Sequence, residues 1–230
     1  TLVVREQGIN LTEEPETLLN VAVVSDIHVG PYKSKSWVEK VVDKTMELDS
    51  DIIVIPGDFI FSKAVQADML EPLGELDAHL GVFAVTGNHD YTENSQQYVI
   101  DTLERLGIVV LENESIEVFV DDQVVVLAGV SDLWFAGQPQ ETMQGLDQEQ
   151  LVILLSHNPD AVLYSSIGIA DLVIAAHTHG GQIRLPWIGS IARVPTKLGN
   201  AYDKGLFDYE DRKLFITAGV GETGPRARLF

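Results

Sequence analysis

The sequence contains no cysteine, which excludes disulfide bonds, thiolate zinc sites and cysteine nucleophiles. It also lacks an apolar run of the roughly 18 residues that a membrane-spanning helix requires. The first residues do not show the basic and then apolar pattern of a secretory signal. The chain begins at Thr1 rather than Met, so the compartment stays open. If an anchor or signal preceded Thr1, we expect a membrane-peripheral or extracytoplasmic protein.

Basic residues are scarce, since 15 Lys and Arg stand against 35 Asp and Glu and give a net charge of −20. This balance argues against nucleic acid as the main partner, because proteins that bind its backbone usually carry a basic face. The charge is uneven, however: residues 177–230 hold 8 basic side chains against 5 acidic ones. Chance scatter is one explanation. The other is that some of these basic residues face an anionic substrate, the candidates being Arg184, Arg193, Lys197, Lys204, Arg226 and Arg228.

Short apolar runs alternate with longer amphipathic segments, which is the pattern of βαβ units. The 230 residues are enough for one large α/β domain with a sizeable core, so we expect a single domain over residues 1–230. Helices are predicted over residues 36–48, 65–76 and 94–106, each after a strand. Residues 108–133 look like consecutive strands with an antiparallel turn at Asp121 and Asp122. This order of elements predicts two packed sheets.

Polar residues follow five of the predicted strands. The five motifs are Asp26-Ile27-His28, Gly57-Asp58, Gly87-Asn88-His89-Asp90, Ser156-His157-Asn158 and His177-Thr178-His179. They contain five of the six histidines, and the remaining His79 is expected on a helix without a functional role. Because ligands bind at the carboxyl ends of the strands in α/β sheets, these distant motifs can meet at one place.

Taken alone, each motif is more often a capped turn than a functional site. Because all five motifs place such residues directly after a strand, a shared site is favoured. His177 and His179 alternate on a strand end, which directs both side chains to one face. Carboxylate, amide oxygen and imidazole suit Mn, Fe, Zn or Co. Two Asp, one Asn and four His exceed the needs of one tetrahedral ion. They suit two ions that share a carboxylate, an arrangement used for displacement at phosphorus.

In this order, the five motifs resemble those of the calcineurin-like metallophosphoesterase superfamily, over residues 26–179. The segments HTHGGQIRLPWIG (177–189) and GVGETGPRARLF (219–230) resemble a bacterial subgroup. That subgroup contains cell-wall or membrane-associated phosphodiesterases and UDP-2,3-diacylglucosamine hydrolases of lipid A synthesis. The resemblance implies a four-layer α-β-β-α sandwich, in which two mixed β-sheets are flanked by helices. The metal site is then expected at the C-terminal ends of the strands.

The resemblance also implies a role for each motif residue. Two divalent metal ions are expected, with Mn favoured over Fe, Zn or Co. The implied ligands are Asp26, His28 and His179 for one metal, Asn88, His157 and His177 for the other, and Asp58 as the bridge. The implied catalytic residues are His89, which protonates the leaving oxygen, and Asp90, which orients or tunes His89. A hydroxide that bridges both metals is the expected nucleophile for in-line attack.

Two segments depart from familiar patterns. Phe61 stands where the family often has a second aspartate, so we expect more apolar surroundings for the substrate. GVGETG (219–224) matches the dinucleotide fingerprint, which requires a following helix and an acidic residue about 20 positions further on. Pro225 follows it and the sequence ends at Phe230, so we do not expect a dinucleotide site. Trp134, Phe135 and Trp187 are interpreted either as core residues or as the lining of an acyl or nucleobase pocket.

The sequence thus predicts a hydrolase of phosphoester bonds. A phosphodiesterase or pyrophosphatase acting on a lipid-linked or nucleotide-sugar substrate is the main hypothesis, with peripheral membrane contact allowed and Arg184, Trp187 and Arg226 as substrate contacts. A broad phosphomonoesterase or a cyclic-nucleotide phosphodiesterase is the first alternative. A non-catalytic scaffold with the same fold is the second. The oligomeric state is left open.

Overall fold

The computed structural model describes residues 2–12, 17–185, 187, 189–224 and 228. Its strands are β1 (Val21–Val23), β2 (Ile52–Pro56), β3 (Val82–Val85), β4 (Val109–Val110), β5 (Glu114–Val120), β6 (Gln123–Val130), β7 (Leu151–Ser156), β8 (Leu172–Ala175), β9 (Arg184–Leu185), β10 (Gly189–Ser190), β11 (Gly205–Tyr209) and β12 (Arg212–Ile216). The α-helices are α1 (Lys35–Met46), α2 (Gln96–Arg105) and α3 (Pro139–Thr142). The 3₁₀ helices are Ala64–Glu75, Asn88–Asn94, Pro159–Leu163, Ser165–Ile169, His179–Gly181 and Asn200–Tyr202.

The strands form two large sheets and one small one. The first sheet has the order β1-β2-β3-β4, and the second has the order β11-β12-β8-β7-β6-β5. The second sheet is mixed, as predicted, because the turn at Asp121 and Asp122 joins β5 and β6 into an antiparallel hairpin. The first sheet is parallel throughout rather than mixed, because β1, β2, β3 and β4 are connected through helical crossovers. Strands β9 and β10 form a separate antiparallel pair.

The alternation of side chains along β2 explains the layers. Ile53 and Ile55 pack against α1 and α2, whereas Ile52 and Val54 pack against residues of the second sheet such as Ile153. The far face of the second sheet is covered by α3 and by the 3₁₀ helices that follow β7. The predicted α-β-β-α order of layers is confirmed. The two sheets therefore share one apolar interface and bring their strand ends to the same side.

Helices α1 and α2 occur where the sequence predicts them. The segment predicted as a helix at 65–76 is a 3₁₀ helix, Ala64–Glu75, and it contains Pro72, which has no N–H to give to an α-helical bond. His79 lies in an exposed turn after this segment and not on a helix. Within the described ranges, no helix has both the length and the apolar composition to cross a membrane.

Candidate metal centre

The C-terminal ends of both large sheets converge on one buried cluster. Motif residues follow β1, β2 and β3 in the first sheet and β7 and β8 in the second. The buried Asp and His side chains among them are Asp26, His28, Asp58, Asp90, His157, His177 and His179. Because the sheets pack face to face, their strand ends lie side by side. The structure thus brings together the five motifs that the sequence places at strand ends.

Asp58 lies at the junction of the two sheets. Its Oδ2 is 3.3 Å from Nε2 of His28 and 3.2 Å from Nε2 of His157. On the side of the first sheet, Nε2 of His28 is 3.2 Å from Nε2 of His179, which is 3.5 Å from Oδ1 of Asp26. These four residues form one group that could hold a metal ion.

A second group extends from Asp58 toward the second sheet. Nε2 of His157 lies 3.0 Å from Nδ1 of His177 and 3.2 Å from Oδ1 of Asn88. Asp58, His157 and His177 also form a group that could hold an ion, with all the donor atoms of a group within 4.8 Å of one another. The two groups share one carboxylate, which is the arrangement predicted for a pair of ions.

The backbone at these positions is unusual. Five residues of the cluster have a positive φ, between 49° and 69°: Asp26, His28, Asp58, His177 and His179. Side chains other than glycine rarely adopt this conformation, and it is found where function maintains local strain. At Gly87, a Cβ atom would overlap the backbone N and the Oδ1 of Asp58, so only glycine allows the motifs after β2 and β3 to come so close.

The donor set fits cations. Oδ1 of Asp26 is buried and accepts no hydrogen bond within the described chain. Burial lowers the pKa of His28 to about 4 and that of His177 to about 3, and it also lowers the pKa of His179. Neutral imidazole is the form that binds metals, because its second nitrogen keeps a lone pair. The cluster therefore presents lone pairs, rather than protons, to its centre.

His157 differs from the other histidines of the cluster. Burial opposes its charged form, but the adjacent Asp58 carboxylate outweighs burial and raises the pKa of His157 to about 10. The same contact keeps the pKa of Asp58 well below its usual range, against the effect of burial. A cation bound at Asp58 would replace the proton on His157, since it supplies the same positive charge at the same carboxylate.

His89 stands beside the cluster. Its ring is in edge contact with His28, with ring centroids 4.5 Å apart, and its Nδ1 lies 2.6 Å from the carbonyl oxygen of Phe61. A carbonyl oxygen can only accept, so Nδ1 carries a proton and Nε2 is the nitrogen that can gain or release one. The Phe61 ring lies 6.3 Å from His28 and 5.8 Å from His89, between centroids, and provides the apolar surroundings expected of this position.

Asp90 acts on the backbone around the cluster. Its carboxylate accepts hydrogen bonds from the N–H groups of Asp58, Phe59, Ile60 and Gly87, at 2.9 to 3.2 Å. Burial, together with the nearby Asp58 carboxylate, raises the pKa of Asp90 to about 7. The four backbone donors favour the ionised form. Asp90 therefore fixes the loop that carries Asp58, and through that loop the position of His89, whose N–H donates to Oδ1 of Asp58.

The described residues among the predicted substrate contacts have different surroundings. Arg184 forms an ion pair with the buried Asp203. Trp187 is fully exposed at the tip of the β9–β10 pair. Arg226 lies outside the described residues. Arg228, in contrast, donates to the carbonyl oxygens of Ala218 and Gly221 at 2.8 and 2.5 Å.

Sequence reasoning overlooked the end of β6. Asp132 follows this strand, is buried, and lies within electrostatic range of His157, and burial raises its pKa to about 6. Its neighbour Trp134 is in edge contact with His177, with ring centroids 4.7 Å apart. The signal was present, because VSDLW (130–134) places an aspartate after an apolar strand, as the motifs at Asp26 and Asp58 do.

The glycines of GVGETG have a structural role at the same site. The N–H of Gly221 donates to the carbonyl oxygen of Asp26 at 2.7 Å, and the N–H of Val220 donates to that of Ser25 at 2.9 Å. A Cβ at Gly221 would overlap the Asp26 carbonyl oxygen. This segment therefore packs directly against the Asp26 turn.

Comparison with known proteins agrees with this geometry. The family model for the calcineurin-like phosphoesterase matches residues 19–181. The chain belongs to this family. The match covers all five motifs, from Asp26 to His179, and the buried Asp and His cluster lies where they meet.

Relatives within the family have named activities. The chain is 30% identical to phosphodiesterase YaeI of Escherichia coli, over 87% of this chain and 74% of that protein. It is 25% identical to UDP-2,3-diacylglucosamine pyrophosphatase LpxG of Chlamydia muridarum, over 88% and 78% respectively. It spans about half the length of several other curated relatives that it matches.

A solved structure shares the fold. The phosphopantetheinyl hydrolase of Mycobacterium tuberculosis superimposes with a TM-score of 0.53 at 12% identity, over 87% of this chain and 89% of that one. At this identity the likeness concerns the arrangement of sheets and helices, and it extends over most of both chains.

Proposed function

We propose that this protein is a metal-dependent hydrolase of phosphoester bonds, with phosphodiesterase or pyrophosphatase specificity. The observation that carries the proposal is the buried pair of donor groups that share Asp58. Named activities of the relatives, a phosphodiesterase and a pyrophosphatase, support the type of bond. A lipid-linked or nucleotide-sugar substrate is the class we propose.

In this proposal, each group holds one divalent cation. Asp26, His28 and His179 would hold the first, Asn88, His157 and His177 would hold the second, and Asp58 would be shared by both. The short distances from Oδ2 of Asp58 to Nε2 of His28 and of His157 support the shared role. When bound, two such cations neutralise charge on the phosphoryl oxygens and supply an activated water for in-line attack.

His89 is the proposed proton donor to the leaving oxygen. Its Nδ1 is held by the carbonyl of Phe61, so the second proton of the imidazolium sits on Nε2 and passes from there to the leaving group. Asp90 supports this role indirectly, because it fixes the Asp58 loop to which the backbone N–H of His89 is bonded. The Phe61 ring packs in a tilted contact against the His89 ring.

Two of the basic residues considered for substrate binding, Arg184 and Arg228, are already bonded within the protein, which supports a diester over a monoester. A phosphomonoester is a dianion and usually requires cationic side chains in addition to the metals. Here Arg184 is paired with Asp203, and Arg228 donates to backbone carbonyls. A monoanionic diester or a pyrophosphate linkage needs fewer such partners, which supports the proposed specificity.

The test compares two generic substrates at matched concentration in the presence of added Mn. We expect faster turnover of bis-p-nitrophenyl phosphate than of p-nitrophenyl phosphate, and hydrolysis of UDP-diacylglucosamine in a parallel assay. A higher rate for the monoester would favour the phosphomonoesterase alternative. Metal analysis with fewer than two ions per chain, together with no turnover of any substrate, would leave only the non-catalytic scaffold.

A further inference from the structure

Two aromatic side chains beside the metal centre are exposed. Trp134 and Phe135 follow the end of β6, and their exposed fractions are 55% and 59%. If these two side chains were buried, they would be part of the hydrophobic core. Exposed aromatic surface next to a polar site instead indicates contact with a ligand. A ligand that covers these rings removes apolar surface from water, which is favourable.

Trp134 is attached to the cluster itself. Its ring meets the ring of His177 edge-on, at an interplanar angle of 84°, and more than half of its surface stays open to solvent. Any group that covers this open surface is therefore adjacent to the half of the centre that contains His177. A substituent attached directly to the reacting phosphorus can reach that position.

Phe135, the next exposed aromatic residue along the chain, contacts another motif. Its ring stacks on Tyr91 at an interplanar angle of 9° with centroids 4.9 Å apart. Tyr91 directly follows the His89-Asp90 pair, and its hydroxyl is held by Gln96 at 2.9 Å and by Thr86 at 3.2 Å. One face of Phe135 is thus covered by a fixed ring, and its other face remains available.

The backbone between the two rings is rigid. The N–H of Trp134 donates to Oδ1 of Asp132 at 2.9 Å. The N–H groups of Phe135, Ala136 and Gly137 all donate to the carbonyl oxygen of Asp132, at 3.2, 3.0 and 2.8 Å. A surface held in place before the ligand arrives loses little conformational entropy on binding. This rigidity distinguishes the loop from an ordinary exposed turn.

We propose that Trp134 and Phe135 form a stacking platform for a planar ring, of the nucleobase type, carried by the phosphoester substrate. The inference rests on the proposed function, since it assigns a specificity surface to the same site. A planar ring suits two open, flat aromatic faces, whereas an acyl chain gains more from a closed apolar groove.

The test uses diesters that share one leaving group. Thymidine 5′-p-nitrophenyl phosphate and methyl p-nitrophenyl phosphate both release p-nitrophenol, so their kcat/KM ratio reports on the other substituent. We expect the native protein to prefer the thymidine ester. Trp134→Leu should lower that ratio about tenfold, the size of one lost base–aromatic stack, and Trp134→Phe should keep most of it. Phe119→Leu is the matched control, since Phe119 is exposed on β5 at the opposite end of the second sheet.

A binding measurement separates this inference from the proposed function. Calorimetric titration of the Mn-loaded protein with thymidine 5′-phosphate and with methyl phosphate needs no turnover. Tighter binding of the thymidine compound that Trp134→Leu abolishes would support the platform even if no ester is hydrolysed, in which case only the proposed function fails. An unchanged ratio in Trp134→Leu would overturn the platform. Equal preference for hexyl p-nitrophenyl phosphate would overturn the requirement for a planar ring.

Discussion

The two large sheets contribute different chemistry to the same cluster. The first sheet supplies the oxygen donors, from Asp26, Asp58 and Asn88, together with His28 and the adjacent His89. The second contributes only imidazoles to the two donor groups. Its buried histidines are His157, His177 and His179. Neither sheet alone offers both the negative charge and the number of donors that two cations require. The difference shows that the site is formed at the interface between the two sheets and not by either sheet alone.

Asp58→Asn tests the comparison most severely, because this carboxylate contacts a histidine from each sheet. We expect loss of metal from both groups and a fall in turnover of about 10³-fold or more, since the amide removes the shared negative charge. Elemental analysis and bis-p-nitrophenyl phosphate hydrolysis measure the two effects. Asp122→Asn, in the exposed hairpin turn, is the control. Retention of two ions by Asp58→Asn would contradict the shared role.

His89→Ala sharpens the contrast between the proton donor of the first sheet and the ligands of the second. We expect turnover to fall about 10²- to 10⁴-fold with the metal content unchanged, because His89 is proposed to donate a proton and to hold no cation. His177→Ala is the matched variant and should lose metal instead. The assignment of His89 fails if its replacement by alanine releases metal as His177→Ala does.

Asp90→Asn tests how the loops that follow the strands of the first sheet are held in position. The amide offers one acceptor and places an NH₂ group against backbone donors, so N–H groups lose their partners. We expect the free energy of unfolding to fall by about 1–3 kcal/mol, measured by urea denaturation, and turnover to fall about 10- to 100-fold. Asp43→Asn, exposed on α1, should change stability by less than about 0.5 kcal/mol. A stable but inactive Asp90→Asn would point to a direct catalytic role.

Arg184→Ala has the smallest expected effect and concerns the region beyond the second sheet. Because Arg184 pairs with the buried Asp203, we expect a loss of stability of about 1–2 kcal/mol and less than a threefold change in kcat/KM. The double variant Arg184→Ala with Asp203→Asn should recover stability, since it leaves no unpaired buried charge. A tenfold fall in kcat/KM at unchanged melting temperature would make Arg184 a substrate contact instead.

Much of the site was predictable because its residues obey a local rule. Each motif follows an apolar strand, and strand ends of parallel sheets meet at one edge, so chain order alone implied convergence. The same rule pointed to Asp132, which the sequence analysis passed over. Charge was a weaker guide, since Arg184 finds its partner in Asp203, which is a matter of packing.

The sequence by itself determined which residue types could bind cations, where the strands end, and that cysteine chemistry is excluded. It did so because strand pattern, turn residues and donor chemistry are properties of short segments. Only the tertiary structure decided that the first sheet is parallel throughout, that Asp58 lies between histidines of both sheets, and that Trp134 is exposed beside His177. These features depend on how distant segments pack, and packing sets distance, burial and pKa together.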